Sequence, residues 1–247
     1  VIERRRSPAT FTMQWLVRTF TEYYDDLCYV SSIPFCNSRK RTHHKGYDFE
    51  GSLHFNQVFD AWDDCWDEEY GTVLPDKLVR YSMKKVIGLP DKRFVFHFMQ
   101  PHAPYLTLRP LGEIQSEGSL HDGDFITDAK RYQWKMLMVS MIMKIMGMEN
   151  LWKLKKMLNV EARYTMERHY RDVGLDDMKS AYNQNLEVVL KQVQKLISRL
   201  PPGKVVITAD HGELLGEKGY WGHGIPKPPL PELTDVPWLV VDRGDAC

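Results

Sequence analysis

The sequence predicts an α/β fold, a mostly parallel central sheet with helices on both faces, and three observations carry that prediction. Four short apolar runs bounded by turn residues have the length of buried strands: Leu27–Val30, Phe94–Met99, Val205–Thr208 and Trp238–Val241. A long amphipathic stretch, Met178–Leu200, puts Tyr182, Leu186, Val189, Val193, Leu196 and Leu200 on one stripe at spacings of three and four. Pro201-Pro202-Gly203 then stops that helix and delivers the chain to the Val205–Thr208 strand. Strand, long helix, strand is the order of a crossover between parallel neighbours, which a tight turn cannot join.

A single domain over residues 1–247 accommodates this pattern, and an apolar fraction of 43% is enough for a sizeable core. The methionine-rich stretch 134–158 reads as a helical insert packed on the body of the domain. It is too short and too charged to cross a bilayer, which takes roughly 20 apolar residues. Its alternative reading is an adaptable surface for a partner or a membrane interface. Lys plus Arg equals Asp plus Glu, 33 each, so no global field recruits nucleic acid or an anionic membrane, and a small substrate is expected. Cys28, Cys36, Cys65 and Cys247 form no CxxC pair, and the start, VIERRRS, has no apolar run of a secretory leader. Both features suit a reducing, cytoplasmic setting. Oligomeric state leaves no mark on the composition.

The chemistry concentrates in VVITADHGELLGEKGYWGHG, Val205–Gly224. Asp210 and His211 fall just past a strand, at the edge where open α/β sheets bind ligands. Gly212 lets the backbone turn sharply beside them. A carboxylate oxygen next to an imidazole nitrogen suits a divalent cation such as Zn²⁺ or Mn²⁺. The plainer reading is an Asp capping the next helix with the His packed against it. His102, between two prolines in PHAPY, follows the Phe94–Met99 strand, and His223 sits between two glycines after Asp-His-Gly. Three histidines beyond two strand ends make a constellation rather than an isolated pair.

These residues carry a family resemblance. ITADHGELLGEKGYWGHG, with HFMQPHAPY upstream and ELTDVPWLVV downstream, resembles sulfatase-like hydrolases of the alkaline phosphatase superfamily, and most of all an archaeal-type sulfatase-like group. AYNQNLEVVL, Phe59–Val73 and Tyr24–Phe35 are also similar to that group, so the resemblance covers most of the chain except the methionine-rich insert. It implies that Asp210 and His211 hold a divalent metal (Zn, Mn or Ca) beside the nucleophile. His102 matches a histidine on the transferred sulfuryl or phosphoryl group, or one in the metal region of two-metal members. His223 stands where relatives place a group on the ester oxygens or a second metal. Lys218 stands where relatives often carry His, and either lends charge to the anion or is simply solvated.

The nucleophile implied by the resemblance lies in SPATFTMQWLVRTF, Ser7–Phe20, as Thr10 or Thr12 at the start of a helix, with Met13 replacing the usual proline. Thr12 also reads as a plain N-cap. CNSR, Cys36–Arg39, invites comparison with the C-x-P-S-R signature whose Cys becomes formylglycine, but it lacks the proline and falls in the wrong place in the family order. It is read as a decoy. Relatives also carry an apolar strand ending in a metal-ligating Asp upstream of the nucleophile, and nothing before Thr10 matches it. The resemblance therefore implies an alkaline phosphatase/sulfatase-like fold, N-terminally incomplete, or a degenerate relative. The expected activity is metal-dependent hydrolysis or transfer of a small-molecule or glycan phosphate or sulfate ester. The rival is an inactive relative that binds an anionic glycan or a protein partner, and a third option is transfer of a phospho-headgroup to a surface polymer.

Overall fold

The computed structural model describes residues 1–108, 141, 145–159, 165–224 and 228–244. In chain order, β1 (Ile2–Arg6) leads to α1 (Thr12–Thr19) and then β2 (Tyr24–Ser31). The hairpin β3 (Thr42–His44) and β4 (Tyr47–Phe49) precedes β5 (Phe55–Phe59) and the short α2 (Ala61–Asp64). A second small hairpin, β6 (Trp66–Asp67) and β7 (Thr72–Val73), feeds α3 (Pro75–Gly88) and β8 (Arg93–His97). Then follow α4 (Met148–Met157), α5 (Thr165–Ile197), β9 (Gly203–Thr208), the hairpin β10 (Leu214–Leu215) and β11 (Trp221–Gly222), α6 (Pro231–Thr234) and β12 (Asp235–Arg243).

The strands form two three-stranded sheets instead of one mostly parallel sheet. In the first, β2 lies between β5 and β8 and is parallel to both. Alternation along β2 sends Leu27 and Tyr29 into a cluster with Met13 and Leu16 of α1, and Val30 into another with Ala61 of α2 and Leu78 of α3. This sheet is therefore covered by helices on both faces, as expected. The second sheet, β1-β12-β9, is wholly antiparallel. Its direction differs from expectation because no crossover helix joins β9 to β12. Among the described residues the link holds the β10–β11 hairpin with a 3-10 turn at its tip and one turn of α6, and the chain returns beside β9 with Trp238 opposite Thr208.

Strand β1 has no apolar signature: IERRR is exposed at every position, and its ladder to β12 makes it a strand. Among the described residues β8 and β9 each pair on one side only, and no ladder joins the two sheets. Helix α5 starts at Thr165, earlier than its stripe suggests, and is broken at Gly174 (φ 83°). On that stripe Val189 and Leu196 are buried, while Leu186 remains 37% exposed. Arg243 at the end of β12 donates to the Ile197 and Leu200 carbonyls, which closes the helix end that the prolines leave open. Residues 134–140 and 142–144 of the methionine-rich stretch lie outside the described residues. Its later part, α4, buries Met148 and Trp152, with the Trp152 ring 5.2 Å from Tyr170 and 6.3 Å from Trp221. No helix among the described residues is long and apolar enough to cross a membrane.

Candidate active site

Asp210 and His211 stand two and three residues past the end of β9, and four contacts fix their backbone. Ser7, just after β1, donates its hydroxyl to the Asp210 carbonyl, and its own N–H donates to the Thr234 carbonyl at 2.7 Å. The His211 N–H donates to Asp210 Oδ1 at 3.0 Å, and the Gly212 N–H to the Leu233 carbonyl at 2.9 Å. Gly212 is required for space rather than for a turn. Its φ is not left-handed, but a Cβ there would overlap the Glu232 carbonyl oxygen and stand 2.9 Å from the carbonyl carbon.

The β10–β11 hairpin pairs Leu214 with Gly222 and Leu215 with Trp221, so the next pair outward is Glu213 with His223. His223 Nδ1 lies 2.8 Å from Glu213 Oε2. The His223 ring is 4.5 Å from His211 and 5.1 Å from His102, which makes it the bridge between the two segments. His97, the last residue of β8, approaches from the other sheet: its Nε2 is 3.9 Å from Asp210 Oδ2, and its Nδ1 meets the Tyr29 hydroxyl. Both β8 and β9 thus end at the site.

The tautomers follow from the partners. A carbonyl or carboxylate oxygen can only accept, so each Nδ1 that meets one carries the proton. His102 Nδ1 donates to the Ala103 carbonyl (2.6 Å), His211 Nδ1 to the Gly212 carbonyl (2.8 Å) and His223 Nδ1 to Glu213. In the neutral ring this puts the lone pair of all three on Nε2, the tautomer in which a histidine can ligate a metal through that atom, and the Nε2 of His211 lies 3.6 Å from Asp210 Oδ2. Two buried carboxylate oxygens, Asp210 Oδ2 and Glu213 Oε1, have no hydrogen-bond partner. His102, Glu213 and His223 each offer a ligand atom, and these atoms lie within 4.8 Å of one another. Imidazole nitrogens with orphaned carboxylate oxygens fit a divalent cation of intermediate softness, so the residues present suit a metal at Asp210–His211 and at His102–Glu213–His223.

The electrostatics agree. Burial pushes the Asp210 carboxyl up, but His211, His97, the nearby Thr12 hydroxyl and His223 together outweigh it and hold it below its ordinary value. Burial likewise opposes ionisation of Glu213, yet His223 and His102 draw it down to about 2. Burial lowers His223 despite Glu213, keeping its ring neutral. Both carboxyls are thus held below their ordinary values although they are buried.

Thr12 comes to the site and is not the N-cap. Phe11 is the cap, and Thr12 is the first helical residue, with its hydroxyl at the Asp210 carboxylate. Thr10 reaches the site by its backbone: its carbonyl accepts the Gly224 N–H at 3.1 Å and its N–H donates to Gln14 Oε1 at 3.0 Å. Lys218 is not brought in. It lies exposed at the hairpin tip, the opposite end from Glu213 and His223. A cation beside the His223 turn is instead Lys45, between β3 and β4, whose Nζ would stand 3.7 Å from a Cβ at Gly224. The Cys36 thiol is enclosed with Phe11, Tyr29 and Phe49, and burial pushes it well up. Sequence reasoning passed over Glu213, His97 and Lys45. For Glu213 a signal existed in the Asp-His-Gly-Glu run, but only the hairpin register shows that it faces His223.

An α/β protein with an Asp-His pair past a strand end, further histidines beside it and a threonine at a nearby helix start gathers groups of the kind that ester hydrolysis uses. The family model described as Sulfatase matches residues 22–246, and the chain belongs to that family. Sulfatase domains have the α/β alkaline phosphatase-like fold, act on sulfate esters and usually bind a divalent metal. No curated protein and no solved structure matches the chain.

Proposed function

We propose that this chain forms the body of a metal-dependent hydrolase of sulfate esters of small molecules, with phosphate esters as the neighbouring substrate class and Thr12 as nucleophile. The observation that carries this reading is the gathering of His102, His211 and His223, each with its proton on Nδ1, around Asp210 and Glu213, whose buried Oδ2 and Oε1 have no hydrogen-bond partner. A divalent cation there supplies positive charge for the ester oxygens and lowers the pKa of the attacking hydroxyl. Thr12 Oγ, at the amino end of α1 and against Asp210, attacks the sulfur or phosphorus, and the ester oxygen leaves in line. Water then cleaves the covalent ester on Thr12 and restores the hydroxyl. Because His102 and His223 keep their protons on Nδ1, their tautomer suits ligation of the cation through Nε2 over direct donation to the anion. Lys45 supplies the fixed positive charge expected of Lys218.

We further propose that an apolar strand ending in a carboxylate, as the sulfatase resemblance implies, inserts between β8 and β9 from a segment outside residues 1–247. The single-sided pairing of those two strands among the described residues, and an Asp210 Oδ2 without a hydrogen bond at their ends, support it. The test is expression with that segment in Mn²⁺, Zn²⁺ or Ca²⁺, assayed on aryl sulfate, aryl phosphate and phosphodiester substrates. Turnover lost in both Asp210→Ala and His211→Ala supports the assignment, and turnover that survives both refutes it.

A further inference from the structure

We infer that Asn185, on α5, is the positioning residue for His102, an inference that rests on the cation reading of the site. Asn185 is fully buried, on the same helix face as Met178, Ala181 and Val189, whereas Asn183 two residues away is exposed. A polar side chain on an apolar stripe must find partners, and it finds them all in one loop. Its Oδ1 accepts the Leu106 N–H at 2.8 Å. Its Nδ2 lies 3.4, 3.2 and 3.1 Å from the carbonyls of Pro101, His102 and Pro104. Two N–H groups shared among three carbonyls and one oxygen on an N–H use both donors of the amide and one of the two lone pairs on its oxygen.

The loop holds itself only in part, through the His102 N–H on the Met99 carbonyl at 3.2 Å and the Leu108 N–H on the Tyr105 carbonyl at 3.1 Å. Pro101 and Pro104 have no N–H to give, and residues 101–106 join no strand or helix among the described residues. Helix α5 supplies the missing partners twice, since His169 Nε2 also accepts the Tyr105 N–H at 3.5 Å. The His102 ring is oriented by the Ala103 carbonyl within this loop, 2.6 Å from Nδ1. Asn185 therefore fixes the backbone, the backbone fixes the ring, and the ring faces His223 at 5.1 Å. Asn185 touches no reacting atom, and its effect passes through His102.

The experiment measures Zn²⁺ affinity of the full chain by chelator competition, with amide hydrogen exchange at Leu106 and in β2 as local readouts. Asn185→Ala is expected to weaken Zn²⁺ binding by about 10–100-fold, the usual effect of losing an outer-shell partner. It should also speed exchange at Leu106 while Tyr29 and Val30 keep their protection. Asn185→Ser, which retains one donor and one acceptor, should fall between, and it decides the matter if the alanine variant does not fold. A folded variant that binds Zn²⁺ within twofold of the wild type overturns the inference. A wild-type chain with no Zn²⁺ affinity removes the cation reading instead. The positioning role is then judged on Leu106 exchange and the His102 ring resonances, which must both change in Asn185→Ala or the role is refuted.

Discussion

Gly212→Ala isolates how the site is held. The new methyl group would overlap the Glu232 carbonyl oxygen and lie 2.9 Å from the carbonyl carbon and 3.2 Å from Leu233 Cα. All three obstacles are backbone, so no rotamer change relieves them. Either α6 or the 210–213 segment must move, and the Gly212 N–H to Leu233 carbonyl bond at 2.9 Å stretches or breaks. Overpacking of this kind costs about 1–3 kcal/mol, and the hydrogen bond adds about 1 kcal/mol. The sum, roughly 2–4 kcal/mol, lowers Tm by about 4–16 °C at this chain length. Gly88→Ala is the control, because a Cβ at the end of α3 meets nothing within 4 Å. Denaturant unfolding of both variants, followed by Zn²⁺ titration, makes the comparison. Since Gly212 separates His211 from Glu213, the variant should also lose Zn²⁺ affinity. A Gly212→Ala protein as stable as Gly88→Ala, with unaltered Zn²⁺ binding, would refute the reasoning.

Four further outcomes are expected. Zn²⁺ at about 100 times its Kd should stabilise the chain by about 2.7 kcal/mol, an effect lost in His211→Ala; a melting curve unmoved by Zn²⁺, Mn²⁺ or Ca²⁺ counts against a metal site. In the ester assay Thr12→Ala should abolish turnover while Thr10→Ala retains it, and the reverse pattern would move the nucleophile to Thr10. Lys218→Ala should leave turnover within twofold, and a larger loss would place Lys218 at the substrate. Burial of His169 lowers its pKa from 6.5 to about 4, so the folded chain prefers the neutral ring. Its contribution to stability is complete above pH 6.5 and is lost as pH falls toward 4, about 2 kcal/mol between pH 7 and pH 5. His169→Phe should flatten that part of the unfolding profile, and equal acid sensitivity in both proteins would contradict the assignment.

Much of the scaffold was legible because its signals are local. The apolar runs became β2, β8, β9 and β12, and Pro201-Pro202-Gly203 ended α5 where expected. The Asp-His pair past β9 needed only the strand end to place it. Elements with weak local signals were not legible. IERRR has the composition of a solvated tail, and only β12 makes it a strand. Antiparallel return of β12 could not be read either, because strand signals are the same for both directions. Lys218 illustrates the hazard of reading by position in a motif, since a two-residue-paired hairpin carries it to the far end from His223.

By itself the sequence determined four of the strands, the long helix and the Asp210–His211 pair with its neighbouring histidines as candidates, because periodicity and turn chemistry act over a few residues at a time. Tertiary structure alone decided which of those side chains meet. The hairpin register set Glu213 against His223, and the approach of β8 to β9 brought His97 to Asp210. Backbone carbonyls chose the tautomers of His102 and His211, and Asn185 took hold of the proline loop from a helix some 80 residues away in sequence. Such choices depend on hydrogen bonds between segments distant along the chain, and a buried polar group settles them only when the fold shows which partner is within reach.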